Sequence, residues 1–251
     1  MLKEERLDFI LQRLKEDQVV KLTELSQRLN VSEDTIRRDI ETLDKNGLCQ
    51  KVRGGAIPHS PNIVINDFKD RVGKLSEQKT VIAQKALTLI RPNSTIFLDS
   101  GTTSYKLATM LPVGLPLTII THSIPVAVAL MDNPSVDVIL AGGRVSKTHQ
   151  VTIGVETART LEHFRVDVYF TGICSLHHEF GITNENFEES EIKRILVKQS
   201  ARVIALTTCD KIGTAEVFKI CDIQDVDTIV TENENALPLF NTYKNLGINI
   251  L

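Results

Sequence analysis

At 251 residues the chain is longer than one ordinary domain and suits a small module joined to a larger one. Its 29 Lys plus Arg against 32 Asp plus Glu leave a formal charge of −3, so no global attraction to nucleic acid or to an anionic membrane is expected. With 42% hydrophobic and 24% charged residues it is neither disordered nor fibrous, and no apolar run approaches the roughly 18 residues that cross a bilayer.

Lys3, Glu4, Glu5 and Arg6 have no apolar signal-peptide core behind them, so a cytoplasmic location and no membrane partner are expected. Cys49, Cys174, Cys209 and Cys221 show neither a C-x-x-C pair nor a His at zinc-finger spacing. Incidental thiols are expected, with no metal, no cofactor and no disulfide framework.

Leu7, Ile10, Leu11 and Leu14 recur at intervals of three and four, which predicts a first amphipathic helix ending at Asp17 and Gln18. A second short helix is predicted from Thr23 as N-cap through Leu25 to Leu29, with Asn30 in the left-handed turn. Ser32 caps a third, with Glu33 and Asp34 at its positive end, Val31 stapled on Ile36, and Gly47 as the stop.

Three such helices with a tight turn form a helix-turn-helix arrangement, and the exposed side of the third is what points to DNA. At about 100° per residue, Arg38 lies opposite the Ile36, Ile40 and Leu43 stripe, with Thr35 and Thr42 beside it and Arg37 on the flank. A bidentate Arg38 contact to a guanine edge is worth about 1–3 kcal/mol of discrimination, whereas Arg37 suits phosphate. Leu48 to Ile57, turning at Gly54 and Gly55, reads as a hairpin wing whose Lys51 and Arg53, with Lys45 before them, suit the backbone or minor groove. Residues 1–57 nevertheless hold 11 basic and 11 acidic side chains, so the alternative is a mixed, merely solvated face.

The order and spacing resemble the DNA-binding module of the DeoR family of bacterial transcription regulators. Arg6, Ile10, Leu14, Ser32, Thr35, Ile36, Arg37, Arg38, Asp39 and Ile40 fill every position of its signature. The resemblance implies a winged helix-turn-helix over 1–57 that binds double-stranded operator DNA, a linker over 58–66 and an effector-sensing domain over 67–251. Pro58, Ser60 and Pro61 favour that boundary independently.

Beyond Asp67, helical and strand-like segments alternate, which predicts an α/β fold with a mainly parallel sheet. Strands are expected at Thr95 to Leu98, Leu117 to Ile120, Val136 to Leu140, Val166 to Phe170, Val203 to Leu206 and Thr228 to Val230. Ligands of such sheets bind past the strands' carboxyl ends. There lie Asp99, Ser100, Gly101, Thr102 and Thr103, whose small and hydroxyl side chains at a helix start suit a phosphate, though such residues also serve simply as caps. No Walker ending follows, which argues against nucleotide hydrolysis. Thr121 to Ser123, Gly142 to Arg144 and Cys209 to Gly213 fall at equivalent ends, with Lys211 supplying charge for an anion. His122, His177 and His178 are expected as surface or hydrogen-bonded residues rather than metal ligands.

This half also resembles the DeoR family, whose effector domain is similar in fold to ribose-5-phosphate isomerase. Asp99 to Thr103 match its Asp-x-Gly-Thr-Thr loop, Gly142 and Gly143 its double glycine, Gly172, Gly181, Thr183 and Asn184 its next loops, and Lys193 and Arg194 a Lys-Arg pair. The resemblance implies a repressor of a carbohydrate operon, working as a dimer or tetramer and released by a phosphorylated sugar or related metabolite. The implied effector residues are Asp99, Ser100, Gly101, Thr102, Thr103, Thr121, Ser123, Gly142, Gly143 and Lys211; Ser32, Thr35, Arg37, Arg38, Lys51 and Arg53 are the DNA set, and no catalytic residue is assigned.

The chain departs from the family at Thr208 and Asp210 before Lys211, where Asp-x-Ser-Lys is usual, at His122 in place of Asn, and at Glu232 in place of Asp. The rival reading is a sugar-phosphate isomerase or transferase, which needs a general base; beside the Gly-Thr-Thr loop only Asp99 offers one. A winged helix that binds protein instead of DNA is the third.

Overall fold

The computed structural model describes residues 3–17, 19–45, 48–52, 54–58 and 68–251, with no side-chain description for 4, 15, 16, 45, 58 and 70. Gly47, Arg53, the Lys45 side chain and residues 59–66 of the expected linker lie outside the described residues. The chain divides into one unit of Met1–Val64 with Gly213–Ala215 and another of Ile65–Ile212 with Glu216–Leu251.

In the first unit α1 (Lys3–Asp17), β1 (Val20–Lys21), α2 (Leu22–Leu29), α3 (Glu33–Lys45), β2 (Cys49–Val52) and β3 (Gly55–Pro58) follow one another. Ile10, Leu14, Leu25, Ile36, Ile40 and Leu43 close over Val20, Cys49 and Ala56 in one small core. Asn30, with φ 51° and ψ 49°, ends α2 in the left-handed region, so the chain re-enters helix three residues later. Helix α2 starts at Leu22 with Lys21 as an N-cap that makes no side-chain bond, so Thr23 lies inside the helix rather than capping it. Strand β1 sets that start, because Val20 and Lys21 pair with Ala56 and Gly55 of β3. Strands β2 and β3 form the antiparallel wing, in register from Cys49 opposite Pro58 to Val52 opposite Gly55. The module is a winged helix-turn-helix.

The second unit opens with α4 (Phe68–Val72) and α5 (Ser76–Leu87), then β4 (Ser94–Leu98), α6 (Thr102–Thr109), β5 (Leu117–Thr121), α7 (Ile124–Leu130) and β6 (Val136–Leu140). A short hairpin, β7 (Arg144–Ser146) and β8 (Val151–Ile153), leads to α8 (Val155–Glu162) and β9 (Val168–Gly172). Then come β10 (Ser175–His177), β11 (Gly181–Asn184), α9 (Phe187–Gln199), β12 (Val203–Leu206), β13 (Phe218–Cys221), β14 (Thr228–Val230), α10 (Phe240–Asn245) and β15 (Asn249–Ile250).

The main sheet has seven strands in the order β15-β14-β12-β9-β4-β5-β6, with every pairing parallel. Alternate residues serve opposite faces: Ile96, Leu98, Ile119 and Phe170 pack with α5, α6 and α7, whereas Phe97, Ile120 and Tyr169 pack with α8 and α9. Burial on both faces explains why these strands read as nearly continuous apolar runs. All six expected strands are present, with β9 displaced two residues along to Val168–Gly172. The antiparallel sheet β10-β11-β13 and the β7-β8 hairpin were not expected. The chain winds from β4 outward to β6 and then returns to place β9 on the other side of β4, which makes the β4/β9 boundary a topological switch point.

Candidate functional site

The family signature's Arg6 and Asp39 form a bidentate pair, Nε to Oδ2 at 2.8 Å and Nη2 to Oδ1 at 3.2 Å, with Asp39 almost wholly buried. That pair fixes α3 against α1 and so sets the angle at which the recognition helix is presented. Ser32 caps α3 by accepting the Thr35 amide at 3.2 Å, and the two hydroxyls lie 2.9 Å apart. Arg37 is exposed and held by Asp34 at 2.6 Å, while Lys51 of the wing reaches Glu41 at the same distance. The Arg38 side chain is exposed and has no hydrogen-bond or ion-pair partner among the described residues. A guanidinium presented in this way needs no internal bond broken before it meets a base edge.

At the switch point of the larger unit, Asp99 follows β4 and is wholly buried. Its Oδ1 accepts the Ser100 amide at 2.8 Å and lies 3.3 Å from His122 Nε2. Its Oδ2 accepts the Gly172 amide at 2.8 Å, the Thr171 hydroxyl at 3.3 Å and the ammonium of Lys193 from α9. Lys193 donates in addition to the Gly172 carbonyl at 2.7 Å. Burial alone raises the Asp99 pKa, but Lys193 and His122 outweigh it and hold the carboxyl well below the usual range. Asp99 therefore ties the ends of β4, β5 and β9 to α9.

The loop after β4 enters α6 through Gly101 at φ 117°, a conformation that favours glycine, and no side chain caps the helix. Its first-turn amides are thus left for an anion, beside the mostly buried Thr102 and Thr103. Among the described residues, the buried hydroxyls of Ser104 in that turn and Thr208 past β12 have no hydrogen-bond partner. Lys211, in the 3₁₀ turn Cys209–Lys211, donates to the Ile173 carbonyl at 2.7 Å. Burial lowers its pKa, opposed by Cys174 and Asp210 and reinforced by Arg71 and Lys193. Lys79 of α5 is buried, where Lys211 is half-buried, and donates to the carbonyls of Arg71, at 2.6 Å, and Lys74. Its pKa falls to about 8, first through burial and then through the charges of Lys211 and Arg71, against the opposing pull of Asp210. Cations brought together out of water are stabilised by an anion placed among them.

Other expected effector residues have structural partners. Thr121 donates to the Leu98 carbonyl at 2.7 Å and accepts the Ser123 amide at 3.0 Å, and Ser123 caps α7 through the Val126 amide. Gly142 accepts the Thr157 hydroxyl at 2.7 Å, while a Cβ on Gly143 would stand 2.1 Å from that same oxygen. Gly143 lets the chain after β6 pass the start of α8 at close range, whereas a Cβ on Gly142 would meet nothing within 4 Å. His122 is buried beside Asp99, and His177 is buried too, stacked between His178 and Phe180. Among the described residues no three His, Cys, Asp or Glu side chains are grouped to hold a metal. Sequence reasoning missed Lys79, because a lysine on an amphipathic helix is normally solvated, and the partner of Asp99, because Lys193 is distant in the chain.

Residues 6–61 match the DeoR-like helix-turn-helix domain and residues 74–233 the DeoR C terminal sensor domain. The chain belongs to the DeoR family. It is 33% identical over 244 residues to the HTH-type transcriptional regulator GolR of Listeria innocua, covering 97% of this chain and 96% of that one. It is 31% identical to the HTH-type transcriptional repressor GlcR of Bacillus subtilis, covering 92% and 89%. With the putative aga operon transcriptional repressor of Escherichia coli O157:H7 it shares 26% identity over 98% and 93% of the two chains. Among solved structures, ribose 5-phosphate isomerase A of Methanocaldococcus jannaschii aligns with a TM-score of 0.40 and 15% identity over 55% of this chain and 54% of that one. As a DeoR-family member the protein is a DNA-binding transcriptional regulator, and among the described residues no helix is long and apolar enough to cross a membrane.

Proposed function

We propose that the protein represses a carbohydrate-related operon as a homo-oligomer and is released from its operator by a phosphorylated sugar bound at the switch point of its sensor domain. The reading is carried by the uncapped start of α6, which follows Asp99, the partner of Lys193, together with Lys211, whose pKa Lys193 helps to lower, and the buried Lys79. On this reading the phosphate sits against the Gly101 to Thr103 backbone and hydroxyls, and Lys211 and Lys79 neutralise it. The unpartnered hydroxyls of Ser104 and Thr208 are available to sugar oxygens. The names of two relatives, a repressor in Bacillus subtilis and an aga operon repressor in Escherichia coli, agree with repression.

Release works by linkage. If the effector favours an arrangement of protomers that misplaces two winged helices for half-sites about one helical turn apart, DNA affinity falls by the coupling free energy, typically about 1–3 kcal/mol. The division into a DNA-binding module over 1–57, a linker over 58–66 and a sensor over 67–251 belongs to this proposal. Catalysis by the sensor is disfavoured on physical grounds, because both oxygens of Asp99 are engaged by protein donors and the carboxyl is wholly buried.

Thermal unfolding of the full chain with a panel of sugar phosphates tests the site. The matching ligand at about a hundredfold excess over its Kd is expected to add about 2.7 kcal/mol of stability. Lys211→Met should lose most of that gain, since the half-buried ammonium that donates to the Ile173 carbonyl is the charge placed to meet the phosphate. An equal gain in the variant would place the ligand elsewhere.

A further inference from the structure

The face of α3 that meets DNA is not uniformly basic. Asp34 lies four residues before Arg38 and Glu41 three after it, so both carboxylates share the face of Arg38. Neither is spent on Arg38. Asp34 Oδ1 holds Arg37 Nη1 at 2.6 Å, Glu41 Oε1 holds Lys51 Nζ at 2.6 Å, and Asp44 accepts the Lys51 amide at 3.0 Å. The two cations suited to phosphate are each held against an acid, while the cation suited to a base edge has no described partner.

We propose that Asp34 and Glu41 are specificity-determining residues of the DNA interface, which suppress sequence-independent binding by masking Arg37 and Lys51. The inference rests on the chain's DNA-binding role in its family. Binding to non-operator DNA consists almost wholly of counterion release, with each phosphate neutralised adding about 0.9 to the slope of log affinity against log salt. A cation already paired with a carboxylate brings no net charge to that exchange. Each acid, left about 6 Å from a phosphate, costs about threefold in affinity at the dielectric of water. The pairs are exposed and so open cheaply. An operator whose register is fixed by Arg38 can therefore still recruit both cations. On random DNA the module settles on whichever phosphates its unmasked cations reach, so that mode gains most when the acids are removed.

The test compares wild type with Asp34→Asn, Glu41→Gln and their combination, all as full chains, by fluorescence anisotropy across a salt series. One probe is the duplex that wild type selects from a random-sequence pool, and the other is a random duplex of equal length. The combined variant is expected to bind random DNA about tenfold more tightly, with the salt slope steeper by up to about 1.8, and its preference for the selected duplex should narrow. Lys51→Gln should cost little on random DNA in wild type and at least threefold in the Glu41→Gln background, which isolates the masking from any general loss of fold. An unchanged slope on random DNA overturns the proposal, as does an equal gain on both duplexes. Weakened binding of Asp34→Asn to the selected duplex alone also overturns it, since that marks a carboxylate reading a cytosine amino group. Failure of wild type to select any duplex is a different result, and counts against operator binding itself.

Discussion

Replacing Lys193 by methionine is expected to destabilise the sensor domain by about 3–5 kcal/mol, because it strands a buried carboxylate without its counter-ion. For a domain of this size that corresponds to a fall in Tm of about 6–20 °C. Asp99 has no water to turn to: it is wholly buried, and its remaining donors are the Ser100 and Gly172 amides, the Thr171 hydroxyl and the nearby His122. Combining Asp99→Asn with Lys193→Met should recover much of the loss, since the double change removes both charges together.

The pair also fixes a pH dependence. The folded Asp99 pKa lies below its ordinary value of 3.8, so the stability it confers is fully present above about pH 4 and is lost as the pH falls through that value toward the folded one. Wild type should therefore lose stability on acidification more steeply than Asp99→Asn. Urea unfolding from pH 7 to pH 3 reads both effects. A Lys193→Met loss below about 1 kcal/mol, or matching acid slopes, would show that the pair does not hold the strand ends together.

Arg38→Ala is expected to weaken binding to the selected operator by about 1–3 kcal/mol per half-site, or roughly five- to 150-fold, with little change on random DNA. The asymmetry follows from geometry. Arg38 is exposed on α3, opposite the Ile36, Ile40 and Leu43 core stripe and without an internal partner among the described residues, so its removal touches neither the fold nor a masked phosphate cation. Lys51→Gln by contrast should weaken the selected duplex by a small factor and random DNA by less, because on random DNA Glu41 keeps the ammonium masked. Competition assays with the two duplexes separate these outcomes; an Arg38→Ala protein that keeps its preference would move base reading to other residues.

What the sequence made legible was local. The Ser32 cap and the Ile36, Ile40 and Leu43 stripe specify α3 within a few residues, and the six apolar runs mark strands because a two-sided parallel sheet admits little else. What escaped depends on distant pairing. Helix α2 begins at Leu22 because Lys21 is drawn into a strand opposite Gly55, a partner more than thirty positions away. The strands β10, β11 and β13 are three or four residues long and include Ser175, His177, Thr183 and Asn184, so any alternation, such as Phe218, Lys219 and Ile220, is too short to stand out.

The same divide runs through the sensor site. The loop from Asp99 to Thr103 was visible as a loop, but its division of labour was not: Asp99 braces the strand ends, and Thr121 and Ser123 close backbone turns. Lys79 was illegible because its burial is created by the backbone of Arg71 and Lys74, which folds back over α5. The departure at His122 has a partner in the fold, since it stands within 3.3 Å of Asp99.

The account joins a DNA-reading module to an anion-sensing one, and a single titration tests that union. Full-length protein is bound to its selected operator at moderate salt, and sugar phosphates are added one at a time while anisotropy is followed. One of them is expected to weaken operator binding by about five- to 150-fold. Lys211→Met is expected to bind the same operator as tightly as wild type and not to be released. Operator binding that no sugar phosphate alters, or release that persists unchanged in Lys211→Met, would contradict it.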